Sequence, residues 1–290
     1  MSRRSLFHFA VSGLFWGIPY LLMKVAVRDF PPAVIVCGRV TIGALILIPI
    51  AIHQKVLKDA IRGWRYVLPY ALFEMMIPWI LITNAEKKIS SGLAGLLIAT
   101  VPIWSTIFAS ISGDKTVWHS KRLVGMLVGF VGLIGLVGYE SIVGGSDPLS
   151  IAMMLVTAMS YSFAVNMISQ KLPDVSGIAI NGLAMVFTAI AYAPLMIIQF
   201  PATNTISKEA AISLLTLGVF STALAFISFF IVLKEIGPAR ASIGTYVNTA
   251  VAVVLGVLIL SEPLTLGIII GLPLVMIGSF LASRKPAVNS

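Results

Sequence analysis

Charge is what this sequence has least of. Charged residues make up 11% of the 290, against about 25% in an ordinary soluble domain, so the chain has too little polar surface to coat a water-soluble globule. It has a single cysteine, Cys37, and therefore no internal disulfide. No G-x-x-x-x-G-K-S/T stretch occurs, which excludes a Walker phosphate loop and direct use of ATP. The three histidines, His8, His53 and His119, lack metal-ligand spacing, no H-E-x-x-H is present, and no serine-based motif is convincing. Neither a metal nor any other cofactor is expected. Long polar connections are missing as well. No link between apolar blocks is longer than the basic stretch 53–65, which leaves no room for a soluble domain.

Apolar residues fill the chain instead. They make up 58% of it and fall in ten blocks, at 6–23, 33–52, 66–83, 91–111, 123–139, 149–168, 177–198, 212–232, 241–260 and 264–281. Blocks of this length match a hydrocarbon core of roughly 30 Å, and their continuous apolar character excludes barrel strands, which alternate in polarity. The expected fold is an all-α membrane protein of ten transmembrane helices. The net charge of +9 fits the positive-inside rule and needs no nucleic-acid partner. With the N-terminus in the cytoplasm, fourteen Lys and Arg fall on that side, among them Arg3, Arg4, Lys55, Arg62, Lys115, Arg240 and Lys285. Five fall on the other: Lys24, Arg28, Lys87, Lys88 and Lys208. Both termini are therefore expected inside, in a bacterial-type inner membrane. The opening Ser2-Arg3-Arg4-Ser5-Leu6-Phe7 is similar to a twin-arginine export signal, but no clear cleavage site follows it and nine more blocks do.

A weak internal register runs through the chain. Trp16 and Tyr161 are 145 residues apart, as are Asp29 and Asp174; Gly125 and Gly271, then Gly132 and Gly278, repeat at 146, and Asp114 and Glu262 at 148. The reading is a duplicated unit, 1–145 and 146–290, of five spans each. An odd number of crossings starts the second copy from the opposite face, so the two repeats are inverted about an axis in the membrane plane. Exchanging the conformations of two such halves converts an inward-open carrier into an outward-open one.

Three stretches give these features a family. Lys234-Glu235-Ile236-Gly237-Pro238-Ala239-Arg240-Ala241-Ser242, then Leu260-Ser261-Glu262-Pro263-Leu264-Thr265, then Gly271 and Gly278, resemble the signature of the EamA-type branch of the drug/metabolite transporter superfamily. Trp16-Gly17 with Lys24, and Arg39 inside the second block, resemble that family's opening pattern. The resemblance covers essentially the whole chain. It implies ten helices in two inverted five-helix repeats around a central cavity, and export or exchange of amino acids and other small metabolites. The chain departs from the pattern at Ala250, where proline is frequent, and at Gly113-Asp114-Lys115, where glycine-glutamate is usual.

Glu74 is the only acid well inside a block. An ionised group at a helix centre costs about 2.5–3.5 kcal/mol on insertion scales, so it is read either as a wet site for a substrate ammonium or a proton, or as a protonated packing residue. Arg39 suits a substrate carboxylate through its planar fork; a structural ion pair is the alternative. Lys24 is a second carboxylate anchor, or simply snorkels to the interface. The resemblance would set Trp16, Tyr20, Trp79, Trp104, Tyr161 and Tyr246 around the cavity, where rings stack on apolar substrates, although interfacial belts use the same residues. Thr100, Asn166 and Asn248 are hydrogen-bonding candidates, with interhelical contact as the ordinary use of such groups. Pro19, Pro78 and Pro102 are gating candidates, or static kinks. Gly125, Gly129, Gly132 and Gly135, with Gly267 and Gly271, form small-residue faces that serve packing within the chain or a homodimer.

The expected function is a secondary transporter that exports small metabolites by alternating access. Amino acids follow from the resemblance and aromatic or apolar ones from the ring count; drugs or other metabolites are the alternative cargo. A membrane-embedded enzyme would need a polar catalytic cluster at one membrane face, and a channel a ring of like polar groups along a pore. The expected partners are a small-molecule substrate and the lipid bilayer.

Overall fold

The computed structural model describes residues 3–113, 120–142, 145–236 and 244–283. Among the described residues every regular element is a helix and none is a strand. We number the helices α1 (Arg3–Ala26), α2 (Pro32–His53), α3 (Leu57–Arg62), α4 (Trp64–Ala85), α5 (Ser91–Ile111), α6 (Ser120–Ile142), α7 (Pro148–Lys171), α8 (Gly177–Gln199), α9 (Lys208–Glu235), α10 (Gly244–Leu260) and α11 (Leu266–Ser283). Eight of them, α1, α2 and α4 to α9, are long and apolar enough to cross a membrane, and α10 and α11 are shorter apolar helices. Leu45, Leu127, Ile134, Ile190 and Leu258 stand largely exposed on them, as an outer surface solvated by lipid requires.

Five connections meet at one end of the bundle. Lys24 Nζ at the end of α1 donates to the Ile89 carbonyl between α4 and α5, 2.5 Å away. Lys88 pairs with Asp147, before α7, at 3.3 Å. The Ser207 amide and hydroxyl, before α9, both donate to Asp29 Oδ2, at 2.9 and 2.5 Å. Those two donors hold the Asp29 carboxyl below its ordinary range. Glu262, between α10 and α11, accepts from the amides of Ser91 and Gly92, and Thr265 donates to Glu140 at the end of α6. At the opposite end, Gly63 before α4 leaves room for Leu172, just after α7.

Eight of the expected spans reappear with corrected ends, and the last two correspond to the shorter apolar helices α10 and α11. The third, expected at 66–83, runs Trp64–Ala85, and the eighth, expected at 212–232, runs Lys208–Glu235. Polar first turns explain the difference. Ser207 caps α9 by accepting from the Ala210 amide at 3.2 Å, and Lys208 and Glu209 form an exposed first turn that an apolar block omits. The stretch 53–65, expected as a connection, contains helix α3, where Ala60 is buried with Ala51 and Ala179 while Lys58, Asp59 and Arg62 stay exposed. Asp114, Lys115, residues 237–243 of the motif and the expected ninth span, Arg284, Lys285 and the Tyr246 side chain lie outside the described residues.

Two helices carry π segments, Leu72–Met76 in α4 and Val219–Leu224 in α9. Their first residues are 147 apart, close to the register of the sequence repeat. In α4 the cause is Pro78, which has no N–H to offer the Glu74 carbonyl four residues earlier. Tyr192 Oη instead donates to the Met76 carbonyl at 2.8 Å. Pro102 plays a related part in α5, where the helix is interrupted at Ala99 and Thr100 and restarts at Val101. Pro19 lies inside an unbroken α1. The glycine faces pack α6 on α11: Gly129 meets Gly278, Gly132 meets Leu274, and Gly271 meets Leu136, whereas Gly135 has nothing nearby.

Candidate functional site

The π segments bring the polar groups of the middle of the bundle together. Arg39 of α2 is buried. Its Nε and Nη2 each donate to Thr222 Oγ1 at 3.2 Å, and its Nη1 lies 3.9 Å from Met23 Sδ. Its Cζ sits 3.8 Å from the centre of the Trp79 ring, a cation–π contact worth about 2 kcal/mol where water is excluded. Thr222 belongs to the second π segment and donates its own proton to the Leu217 carbonyl, five residues back, at 2.8 Å. No carboxylate pairs with Arg39 among the described residues. A guanidinium carries five N–H donors, so this one keeps unused capacity.

Glu74 lies in the first π segment, and its Oε2 is buried with no hydrogen-bond partner among the described residues. Tyr161 of α7 lies within electrostatic reach of Glu74, Tyr20 and Arg39 and against the Trp79 side chain. Tyr70 Oη, close enough to feel Glu74, donates to Asn181 Oδ1 at 3.1 Å. The cluster therefore holds one cation without a counter-ion and one carboxyl oxygen without a donor, separated by phenol and indole. Tyr20, Arg39 and Trp79 are buried, and Glu74 and Tyr161 are partly so.

Other expected site residues are engaged elsewhere. Trp16 packs on Phe226 and Phe229 of α9, with ring centres 5.4 and 4.8 Å away. Trp104 Nε1 donates to Thr100 Oγ1 at 3.2 Å, Thr100 donates to Leu97, and the Trp104 ring meets Phe130 edge-on. Asn166 donates to the Ser162 carbonyl at 2.8 Å. Asn248, with its nitrogen turned toward α1, donates to Gly13 and Gly244 at 2.9 Å each. Lys24 is spent on Ile89, away from Arg39.

Sequence reasoning missed Thr222, Met23, Tyr70 and Tyr192. A threonine or methionine inside an apolar helix carries no signal of its own. Also missed was Glu86, fully buried at the end of α4, because Glu86-Lys87-Lys88 reads as a solvated turn. At the same end of the bundle lies a cavity of about 350 Å³ lined by Lys24, Arg28, Lys88, Glu140 and Glu262.

The fold and sequence have relatives. A model of the EamA-like transporter family matches residues 3–138 and again 148–284. A protein of Archaeoglobus fulgidus described as an uncharacterized transporter is 26% identical over 283 residues, covering 95% of this chain and 97% of its own. The uncharacterized transporter YoaV of Bacillus subtilis is 27% identical, covering 92% of each chain. The uncharacterized inner membrane transporter YedA of Escherichia coli K12 is 24% identical, covering 95% of this chain and 91% of its own. A solved crystal structure superposes with a TM-score of 0.66 at 19% identity, covering 97% of this chain and 96% of the other, which speaks for the fold alone. With two family matches spanning nearly its whole length, the chain belongs to the EamA-like transporter family and is a multi-pass membrane transporter.

Proposed function

We propose that the protein is a secondary carrier of zwitterionic amino acids, with ten spans in two inverted five-helix repeats that alternate access to the cluster around Arg39. The observation that carries this reading is the unpaired Arg39 guanidinium set across Tyr161 and Trp79 from the unpartnered Glu74 oxygen. A free amino acid supplies the two missing partners at once: its carboxylate for Arg39 and its ammonium for Glu74. Burying either charge alone is strongly unfavourable, so a neutral pair of opposite charges is the cargo that such a site discriminates best. The indole of Trp79 and the phenols of Tyr20 and Tyr161 provide the wall against which an apolar or aromatic side chain packs. Trp16, repeat partner of Tyr161, packs on the α9 aromatics Phe226 and Phe229.

Support for the repeat comes from three directions. One family model matches twice in succession, the two π segments recur 147 residues apart, and five connections share one end of the bundle. In the α4 and α9 segments a helix already off the α register is the natural place for each repeat to bend.

The test is counterflow in proteoliposomes. Trans-loaded phenylalanine should accelerate entry of labelled phenylalanine, whereas phenethylamine and phenylalanine methyl ester, which lack the carboxylate charge, should neither exchange nor compete. Equal exchange of the amine and the amino acid would overturn the zwitterion reading, and flux without trans-stimulation would favour a channel.

Orientation has its own test. Both termini are proposed to lie in the cytoplasm of a cell with a bacterial-type inner membrane. A periplasm-dependent reporter fused after Ser290 should be inactive, and one inserted near Gly144, a position outside the described residues, should be active. The reverse pattern would invert the topology.

A further inference from the structure

The outer end holds a carboxyl group that nothing in the substrate cluster uses. Glu86 is 0% exposed, and its Oε1 is buried without a hydrogen-bond partner among the described residues. Its Oε2 meets only the Ser91 hydroxyl, at 3.5 Å. The nearby Glu262 is fully engaged instead. It crosses from the α10–α11 connection, and both its oxygens accept from the Ser91 amide at 2.9 Å, with Gly92 adding a second donor at 3.3 Å. That is the first turn of α5, whose amides have no partner within the helix.

Lys24 is the cation that Glu86 lacks. It approaches closely enough to act on Glu86, yet its ammonium donates to the Ile89 carbonyl, and no ion pair links the two among the described residues. The groups facing Glu86 are Tyr20 and Lys24 from α1, Arg28 beyond it, Glu262 from the α10–α11 connection and Lys87 beside it. Burial pushes the Glu86 carboxyl well above the usual carboxylate range; Lys24 works against this, Glu262 reinforces it, and the Ser91 hydroxyl opposes it. A cavity of about 320 Å³ beside the group is lined by Lys24, Val27, Arg28, Glu86 and Lys87. On the other side Tyr20 leads to Arg39.

We propose that Glu86 is a proton-binding site of the carrier, whose proton and the Lys24 ammonium occupy the carboxyl group in turn as the outer end rearranges. The coupling part of this proposal rests on the carrier reading; the binding part does not. A proton is the ligand that fits, because one carboxyl group with a single free oxygen offers too few donors for a metal ion, and Glu262 is already committed to α5. In the state described here Glu86 is the neutral acid and Lys24 is held by Ile89. When Lys24 leaves Ile89 and reaches Oε1, the Glu86 O–H bond breaks, its electron pair stays on oxygen, and the proton passes to water in the cavity. A neutral acid and an ammonium become a carboxylate–ammonium pair and one released proton, so charge balances.

The experiment uses the full chain in lipid with no substrate, and reads the infrared carbonyl band of neutral carboxylic acids as pH is raised. At neutral pH that band should lose one component in Glu86→Gln. In Lys24→Met, where the competing cation is gone, the Glu86 component should persist to a pH higher by about one unit. An unchanged band in Glu86→Gln, or an unmoved midpoint in Lys24→Met, overturns the proton site. Proteoliposomes with a trapped pH dye then report protons moved per molecule of phenylalanine. A ratio unaltered by Glu86→Gln overturns the coupling role. Should the unmodified chain show no trans-stimulated exchange of any amino acid, the carrier reading fails while the infrared result still decides the proton site.

Discussion

Replacing Arg39 with glutamine should raise the half-saturation for a zwitterionic substrate by about 10- to 150-fold, because hydrogen bonds to a charged group are worth roughly 1.5–3 kcal/mol. Glutamine retains a donor for Thr222 and much of the side-chain length, so the variant isolates the lost charge. Arg39→Lys should recover little of the loss. Lysine keeps the charge, but it has neither the planar fork that holds a carboxylate nor the flat face that lies on Trp79. Glu74→Gln should act in the complementary sense, weakening substrates with a free ammonium more than their N-acetyl forms. Counterflow normalised to folded protein in detergent measures all three. A half-saturation within twofold of the parent in Arg39→Gln would remove Arg39 from substrate recognition and leave it as a link between α2 and α9.

The same residues show how far sequence reasoning reaches. Arg39 and Glu74 are conspicuous because charge within an apolar block is expensive, and Trp79, Tyr20 and Tyr161 are conspicuous by size. What the sequence does not reveal is who meets whom. Thr222 holds Arg39 only because α9 departs from the α register in a segment, Val219–Leu224, that has neither proline nor glycine to announce it. The α4 segment is half legible, since Pro78 marks the missing donor but not the register that results. Thr100, Asn166 and Asn248 look free in sequence yet bond to backbone carbonyls within a turn or to the neighbouring helix, the local competition that such side chains always offer.

Fold-level features divide along the same line. Block length is set by the thickness of the hydrocarbon, so helix existence is legible and helix ends, where capping residues are polar, are not. Glu86 was hidden by that rule. It sits three residues past the apolar block 66–83 in a run that looks solvated, and its neighbours Lys24 and Glu262 come from α1 and the distant α10–α11 connection.

Gly278→Ala should destabilise the protein by roughly 1–3 kcal/mol or more, the cost of overpacking a filled interface. A methyl group at Gly278 would run into the Gly129 amide and Cα and lie 2.7 Å from the Gly125 carbonyl. All of these are backbone atoms of α6, which cannot rotate away as a side chain would. The two helices must part, and the contacts of Gly132 with Leu274 and of Gly271 with Leu136 loosen with them. Gly135→Ala is the control. It lies on the same glycine-rich helix with nothing within 4 Å of the added carbon, so alanine there should gain up to about 1 kcal/mol from helix propensity. Thermal unfolding midpoints in one detergent compare the two variants directly: the midpoint should fall for Gly278→Ala and hold or rise for Gly135→Ala. Equal midpoints would mean that α6 and α11 are not packed backbone to backbone, and that the glycines of α6 serve some contact outside the chain.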